Sequence, residues 1–170
     1  MEKKSFRNSA LFLAQAGMIA AIYVVLTVFI NAFNLANGAI QIRLSEALCV
    51  LPVFTPAAIP GLFIGCLISN TVTGCVIWDI VFGSIATLLG AVGTYLLRKT
   101  KFVCTLPPVI ANMIVVPFVL RYAYGVGDAH WFLVATIGIG EVISCCVVGM
   151  ILKTVLSKYR YQIFRQEETI

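Results

Sequence analysis

The chain has 170 residues, 61% of them apolar and only 11% charged, with a mean hydropathy of +1.01. A soluble domain carries about a quarter charged residues, so too few polar side chains are present to cover a water-facing surface, and a soluble globular enzyme is excluded. At about 20 apolar residues per helical crossing, the length holds about six crossings in a single integral membrane domain, 1–170, with no room for a sizeable extramembrane domain.

Taken in chain order, Lys3, Lys4 and Arg7 precede a first apolar run, read as a helix over about 9–33. It is long enough to span and ends without a clear small-residue cleavage site, so it reads as a retained helix rather than a signal peptide. The next apolar stretch, 44–73, is interrupted by Pro52, Pro56 and Pro60. It is divided into helices over about 39–54 and 57–73, with Thr55-Pro56 as the hairpin, because the residue before a proline is pushed out of the helical region. Further helices are expected over about 75–97, 105–124 and 131–155, followed by a polar tail, 156–170.

Charge position supports that division. Ten of the twelve basic residues lie before the first run, in the gap holding Arg98, Lys99 and Lys101, or around the end of the last run; Arg43 and Arg121 are the exceptions. They mark helix ends and a positive-inside topology, not a nucleic-acid surface, which needs exposed bases interleaved with stacking aromatics. With six spans the basic gap and both termini fall on the cytoplasmic side; with five they would not. Trp78, Trp131, Tyr122 and Tyr124 then lie near outer ends and Tyr95, Tyr159 and Tyr161 near inner ones, where amphipathic rings prefer the headgroup level. Tyr23 alone is mid-helix.

The six cysteines lack the paired short spacings of a zinc site, and Cys145 and Cys146, being adjacent, point to different helix faces. They read as buried apolar thiols, and no metal, cofactor or disulfide is expected. No nucleophile elbow or Gly-rich phosphate loop is present. His130, in the short outer loop, reads as solvated.

Ionisable groups inside the spans are the conspicuous feature. A charge near the bilayer centre costs about 2.5 to 3.5 kcal/mol on insertion scales, yet Arg43, Glu46, Asp79 and Glu141 fall within predicted helices, with Asn70 and Asn112 as polar neutrals. Arg43 and Glu46, three apart, could neutralise each other locally. Steps of three and four from Asp79 reach Gly83, Ala86, Gly90 and Gly93, and from Glu141 reach Gly138, Ser144, Cys145 and Val148. Small residues mark protein-facing surfaces in membranes, so both carboxylates are expected to point inward, in the outer half and middle of the bundle. Such groups suit recognition: carboxylates accept hydrogen bonds from cationic amines or adjacent N–H donors, and Asn supplies donor and acceptor together. On the first helix, Ala16-xxx-Ala20 and Gly17-xxx-Ala21 are overlapping small-xxx-small spacings that fit an internal seam or a partner-docking face equally; Gly61-xxx-Gly65 is a candidate for internal packing.

The stretches Gly38-Ala-Ile-Gln-Ile-Arg-Leu-Ser-Glu-Ala-Leu48, Leu51-Pro52, Ile59-Pro-Gly-Leu-Phe-Ile-Gly-Cys-Leu-Ile-Ser-Asn70 and Trp78-Asp-Ile-Val-Phe-Gly-Ser-Ile-Ala-Thr87 resemble the QueT family of queuosine-precursor transporters, over nearly the whole chain except the tail. The resemblance implies a six-helix S component of an energy-coupling factor (ECF) transporter. Such a protein captures its ligand outside and works with a transmembrane coupling subunit and two ATPases, in the cell membrane. The implied ligand is a deazaguanine, queuine or its aminomethyl precursor. Glu46, Asp79 and Glu141 would then share the guanine-like donor edge and the cationic arm. Asn70, Asn112 and Gln41 would read the remaining polar atoms, and Arg43 would orient Glu46 or line the entrance. By analogy with S components, the loop 34–41 would act as the gate and Ala16, Gly17, Ala20 and Ala21 would dock the coupling subunit. Two other readings fit the composition: a stand-alone carrier for another heterocyclic or cationic solute, against which the lack of an internal repeat counts, and a non-transporting membrane assembly subunit.

Overall fold

Helices that are apolar on every side need lipid or protein on every side, and the computed structural model disposes them accordingly. It describes residues 2–33, 43–159 and 163, with side chains from residue 9 onward. Among the described residues every regular element is helical: α1 (Glu2–Ala32), a 3-10 helix (Leu44–Val53), α2 (Ala58–Val72), α3 (Ile77–Leu96), α4 (Leu106–Tyr122), and α5 (His130–Glu141), which continues through a π-helical segment (Val142–Val148) into α6 (Gly149–Lys158). Four helical runs, Ser9–Ala32, Ile77–Leu96, Val103–Tyr122 and His130–Lys158, are long and apolar enough to cross a membrane, while Leu44–Val53 and Ala58–Val72 are shorter apolar helices.

The second segment differs from the α-helix expected over 39–54. Arg43 is extended, with φ −104° and ψ 94°, and the ten residues after it form a 3-10 helix with Pro52 inside. Runs of 3-10 helix beyond three or four residues are uncommon because the hydrogen bonds are poorer, but the rise of about 2.0 Å per residue carries ten residues about 20 Å, against about 15 Å in α form. The packing explains how so long a 3-10 run persists: Ser45 through Pro52 are all buried, and the segment touches α1, α2, α3, the π segment and α6. It is the central strut of the molecule. Thr55 forms the turn after it, with its hydroxyl donating to Gln15 on α1 at 2.9 Å and accepting from the Ala57 N–H at 3.3 Å.

Consecutive helices pair, α1 with α2, α2 with α3, α3 with α4 and α4 with α5. Glycine sets the closest approaches. A Cβ on Gly61 would stand 2.7 Å from the Ala16 backbone oxygen, one on Gly65 2.8 Å from Tyr23 Cβ, and one on Gly90 2.6 Å from Pro108 Cα. The Gly61 and Gly65 seam consumes Ala16 and Ala20, which are buried, whereas Gly17 and Ala21 are exposed. The four residues expected to share one docking face therefore divide between an internal seam and the outer surface. Outward-facing side chains such as Leu13, Met18, Val25 and Phe29 are apolar and exposed, and Trp78, Trp131 and Tyr122 stand out near helix ends. These suit a lipid flank with interfacial rings.

Candidate substrate-binding site

The first turn of α3 places Asp79 where the positive end of the helix dipole favours a carboxylate. Opposite it, Arg43 precedes the 3-10 helix in extended form and Asn70 closes the last turns of α2. These three line one cavity of about 410 Å³, together with Thr27 and Asn31 of α1, Ser45 of the 3-10 helix, Cys75, and Tyr124 beyond α4. Asp79 and Asn70 are each 4% exposed. The Asn70 amide donates to the Asp79 backbone oxygen at 3.4 Å and to Cys66 Sγ at 3.7 Å, which ties the end of α2 to the start of α3. Tyr124 donates from its hydroxyl to Asp79 Oδ2 at 3.0 Å. Gly83, one turn on, lets the two side chains pack tightly against α3: a Cβ there would lie 3.2 Å from both Asp79 Oδ1 and Asn70 Nδ2.

Ser45 Oγ, on a residue 1% exposed, has no hydrogen-bond partner. A buried hydroxyl left unpaired costs about 1–3 kcal/mol, and this one belongs to a residue lining the cavity.

The remaining candidates form a separate buried network. Glu46 is fully buried; its Oε1 accepts from the Tyr23 hydroxyl at 2.6 Å and its Oε2 from the Cys49 thiol at 3.1 Å. Glu141 Oε1 accepts from Asn112 Nδ2 at 2.9 Å. The Cys145 thiol lies 3.4 Å from both Glu141 Oε2 and the Glu46 backbone oxygen, able to donate to either. Glu46, Glu141 and Cys145 each offer an atom within 4.8 Å of the others, and each carboxylate oxygen has a donor within reach, the Cys145 thiol being shared between Glu141 Oε2 and the Glu46 backbone oxygen. The π segment begins immediately after Glu141 and carries Cys145, so the register change falls where this segment packs on the 3-10 helix. The local ion pair between Arg43 and Glu46 does not form: Tyr23 and Cys49 take up the carboxylate, and Arg43 turns to the cavity and the field of Asp79.

Of the seven residues expected to bind substrate, the cavity thus brings together Arg43, Asn70 and Asp79, the network holds Glu46, Asn112 and Glu141, and Gln41 lies outside the described residues, as does the loop 34–41. Sequence reading passed over Ser45, Tyr124 and Tyr23. Only Tyr23 had left a signal, as the mid-helix exception among the ring residues. The cysteines are free, but Cys49, Cys66 and Cys145 take part in polar contacts rather than serving as inert filling. His130 starts α5 and rests against Phe118, with ring centroids 4.8 Å apart.

An all-helical chain with four membrane-length apolar helices and a polar cavity of small-molecule size is a multi-pass membrane protein suited to taking up a solute. The sequence model described as QueT transporter matches residues 13–158, most of the chain, and the protein belongs to that family. It is a transport protein rather than an enzyme. Comparisons with curated proteins and with solved structures found no match.

Proposed function

We propose that the chain is the substrate-binding S component of an ECF importer, capturing queuine or its aminomethyl-deazaguanine precursor outside the cell for ATP-driven uptake. The observation that carries this reading is the cavity itself: Asp79, Arg43 and Asn70, with Ser45 beside them, line one space of about 410 Å³, within the range of about 300–1,000 Å³ usual for small-molecule pockets. A guanine-like edge presents adjacent ring N–H and exocyclic amine donors, for which a carboxylate is the matching acceptor. Asp79 takes this edge, or the cationic arm, while Ser45, Arg43 and Asn70 address the other polar atoms. Glu46, Asn112 and Glu141 act as anchors of the 3-10 helix that presents Arg43 and Ser45.

The chain crosses the membrane six times with both termini cytoplasmic. The 3-10 helix, buried from Ser45 through Pro52, is shielded from lipid by its neighbours, which is how irregular backbone is tolerated at membrane depth, while α2 turns Ile64, Leu67 and Ile68 outward. A transmembrane coupling subunit and two ATPases complete the importer, and the exposed small residues Ala14, Gly17 and Ala21 of α1 form the docking face.

Titration of the purified protein tests the reading. Queuine or 7-aminomethyl-7-deazaguanine should bind, and guanine, biotin and thiamine should bind far more weakly or not at all. Absence of binding by both deazaguanines overturns it.

A further inference from the structure

The contact between Tyr124 and Asp79 joins a cavity-lining carboxylate to a residue outside the helices. Tyr124 lies beyond the end of α4, in the connection to α5, and is 42% exposed. Its hydroxyl does two things at once, donating to Asp79 Oδ2 at 3.0 Å and accepting from the Val76 N–H at 3.3 Å. The second bond satisfies a backbone donor at the N-terminus of α3, where helical amides lack partners. The connection is loosely packed at its glycines: Gly125 adopts φ +67°, and neither it nor Gly127 has anything within 4 Å of where a Cβ would be. Beyond Tyr124, it is held by the Val126 N–H donating to the Leu120 oxygen at 3.1 Å, and Leu120 and Val126 line the same cavity as Tyr124.

We propose that Tyr124 sets affinity at this cavity by acting as an internal competitor: its hydroxyl occupies Asp79 Oδ2, one of the two oxygens that a substrate with paired N–H donors must take, so binding of such a substrate displaces the Tyr124 latch. The inference rests on the cavity being the substrate site. A carboxylate oxygen holding one good donor yields it most readily to a better one. A substrate with two adjacent N–H groups, or with an ammonium, supplies a bidentate or charge-assisted pair, which is stronger than a neutral single bond. A solute offering one neutral donor makes a single neutral bond to the carboxylate and gains less. The carboxylate thereby favours the donor-rich edge of a guanine-type base, and the latch lowers the affinity of any substrate that needs both oxygens. Burial and the neighbouring Asp79 push the Tyr124 hydroxyl up from its ordinary value, so it remains a donor across the physiological range. Once displaced, Tyr124 also uncovers Cys75, which lines the cavity and lies against the same side chain.

Tyr124→Phe removes the competitor and keeps the ring. It should bind 7-aminomethyl-7-deazaguanine and queuine about three- to tenfold more tightly than the parent protein, the range expected for one net hydrogen bond. In a Cys146→Ala background, Cys75 of the ligand-free variant should react several-fold faster with a charged methanethiosulfonate reagent. Thermal unfolding of the same sample confirms that it is folded. Weaker or unchanged affinity in the variant overturns the latch, the former because the phenol would then be a direct substrate contact. If the parent protein binds neither deazaguanine, the substrate reading fails separately. The thiol rate then decides alone whether Tyr124 covers the mouth, and an unchanged rate overturns it.

Discussion

Asp79 and Glu46 are both buried acids, but they have different surroundings. Glu46 has a donor on each oxygen and no face on the cavity, whereas Asp79 lines the cavity and is held by a residue from the connection between α4 and α5. Removing the charge should therefore separate binding from folding only at Asp79. Asp79→Asn keeps the shape and replaces an acceptor oxygen with a donor, so deazaguanine affinity should fall at least tenfold, about 1.4 kcal/mol, with the unfolding midpoint nearly unchanged. Titration and a thermal scan on the same preparation check this, and undiminished binding would remove Asp79 from the site. The candidate acids were legible in the sequence because so few charges occur in so apolar a chain. Which of them faces a cavity was not, because Asp79 meets Tyr124 across 45 positions and Glu46 meets Tyr23 across 23, and helical spacing reports a face without naming what lies opposite. Ser45 and Tyr124 gave no signal at all: the first is an ordinary serine beside a rarer glutamate, and the second is one more ring near a helix end.

At the level of elements, hydropathy counts apolar residues without reading the hydrogen-bond register. It located apolar segments and could not say that Leu44–Val53 is a 3-10 helix or that Val142–Val148 is π-helical. The register changes depend on tertiary contacts, the first on burial from all sides and the second on the thiol and carboxylate contacts of Cys145 and Glu141. The small-residue pattern was more informative in α2, where Gly61 and Gly65 bring α1 close enough for Tyr23 to reach Glu46. That seam leaves no room for a side chain, since the atom a Gly61 Cβ would meet is backbone and cannot rotate away. Gly61→Leu should destabilise the fold by about 1–3 kcal/mol through overpacking and weaken binding as a consequence. Gly17→Leu, with nothing within 4 Å, should leave both unchanged. Unfolding midpoints of the two variants measure the difference, and equal midpoints would mean that the helices do not approach this closely.

For the whole molecule, the proposed coupling subunit would require the same first helix to serve two partners on two faces. Its Ala16, Ala20 and Tyr23 side is committed to α2 and the central strut, so a subunit outside the bundle can meet only the opposite face, where Ala14, Gly17 and Ala21 are exposed and small enough for a second helix to approach. Spacing alone could not choose between these overlapping patterns; the α2 glycines do, by occupying one of them. If the exposed pattern docks the coupling subunit, bulk there should block transport without touching the cavity. Gly17→Trp combined with Ala21→Trp should abolish cellular uptake of the deazaguanine while the purified variant binds it with parental affinity. Ala16→Trp combined with Ala20→Trp should instead fail at the earlier stage of folding, because those side chains would be driven into the α2 backbone. Uptake that persists in the first variant would place the docking face elsewhere on the bundle, and binding that disappears with uptake would mean that α1 reaches the cavity from both sides.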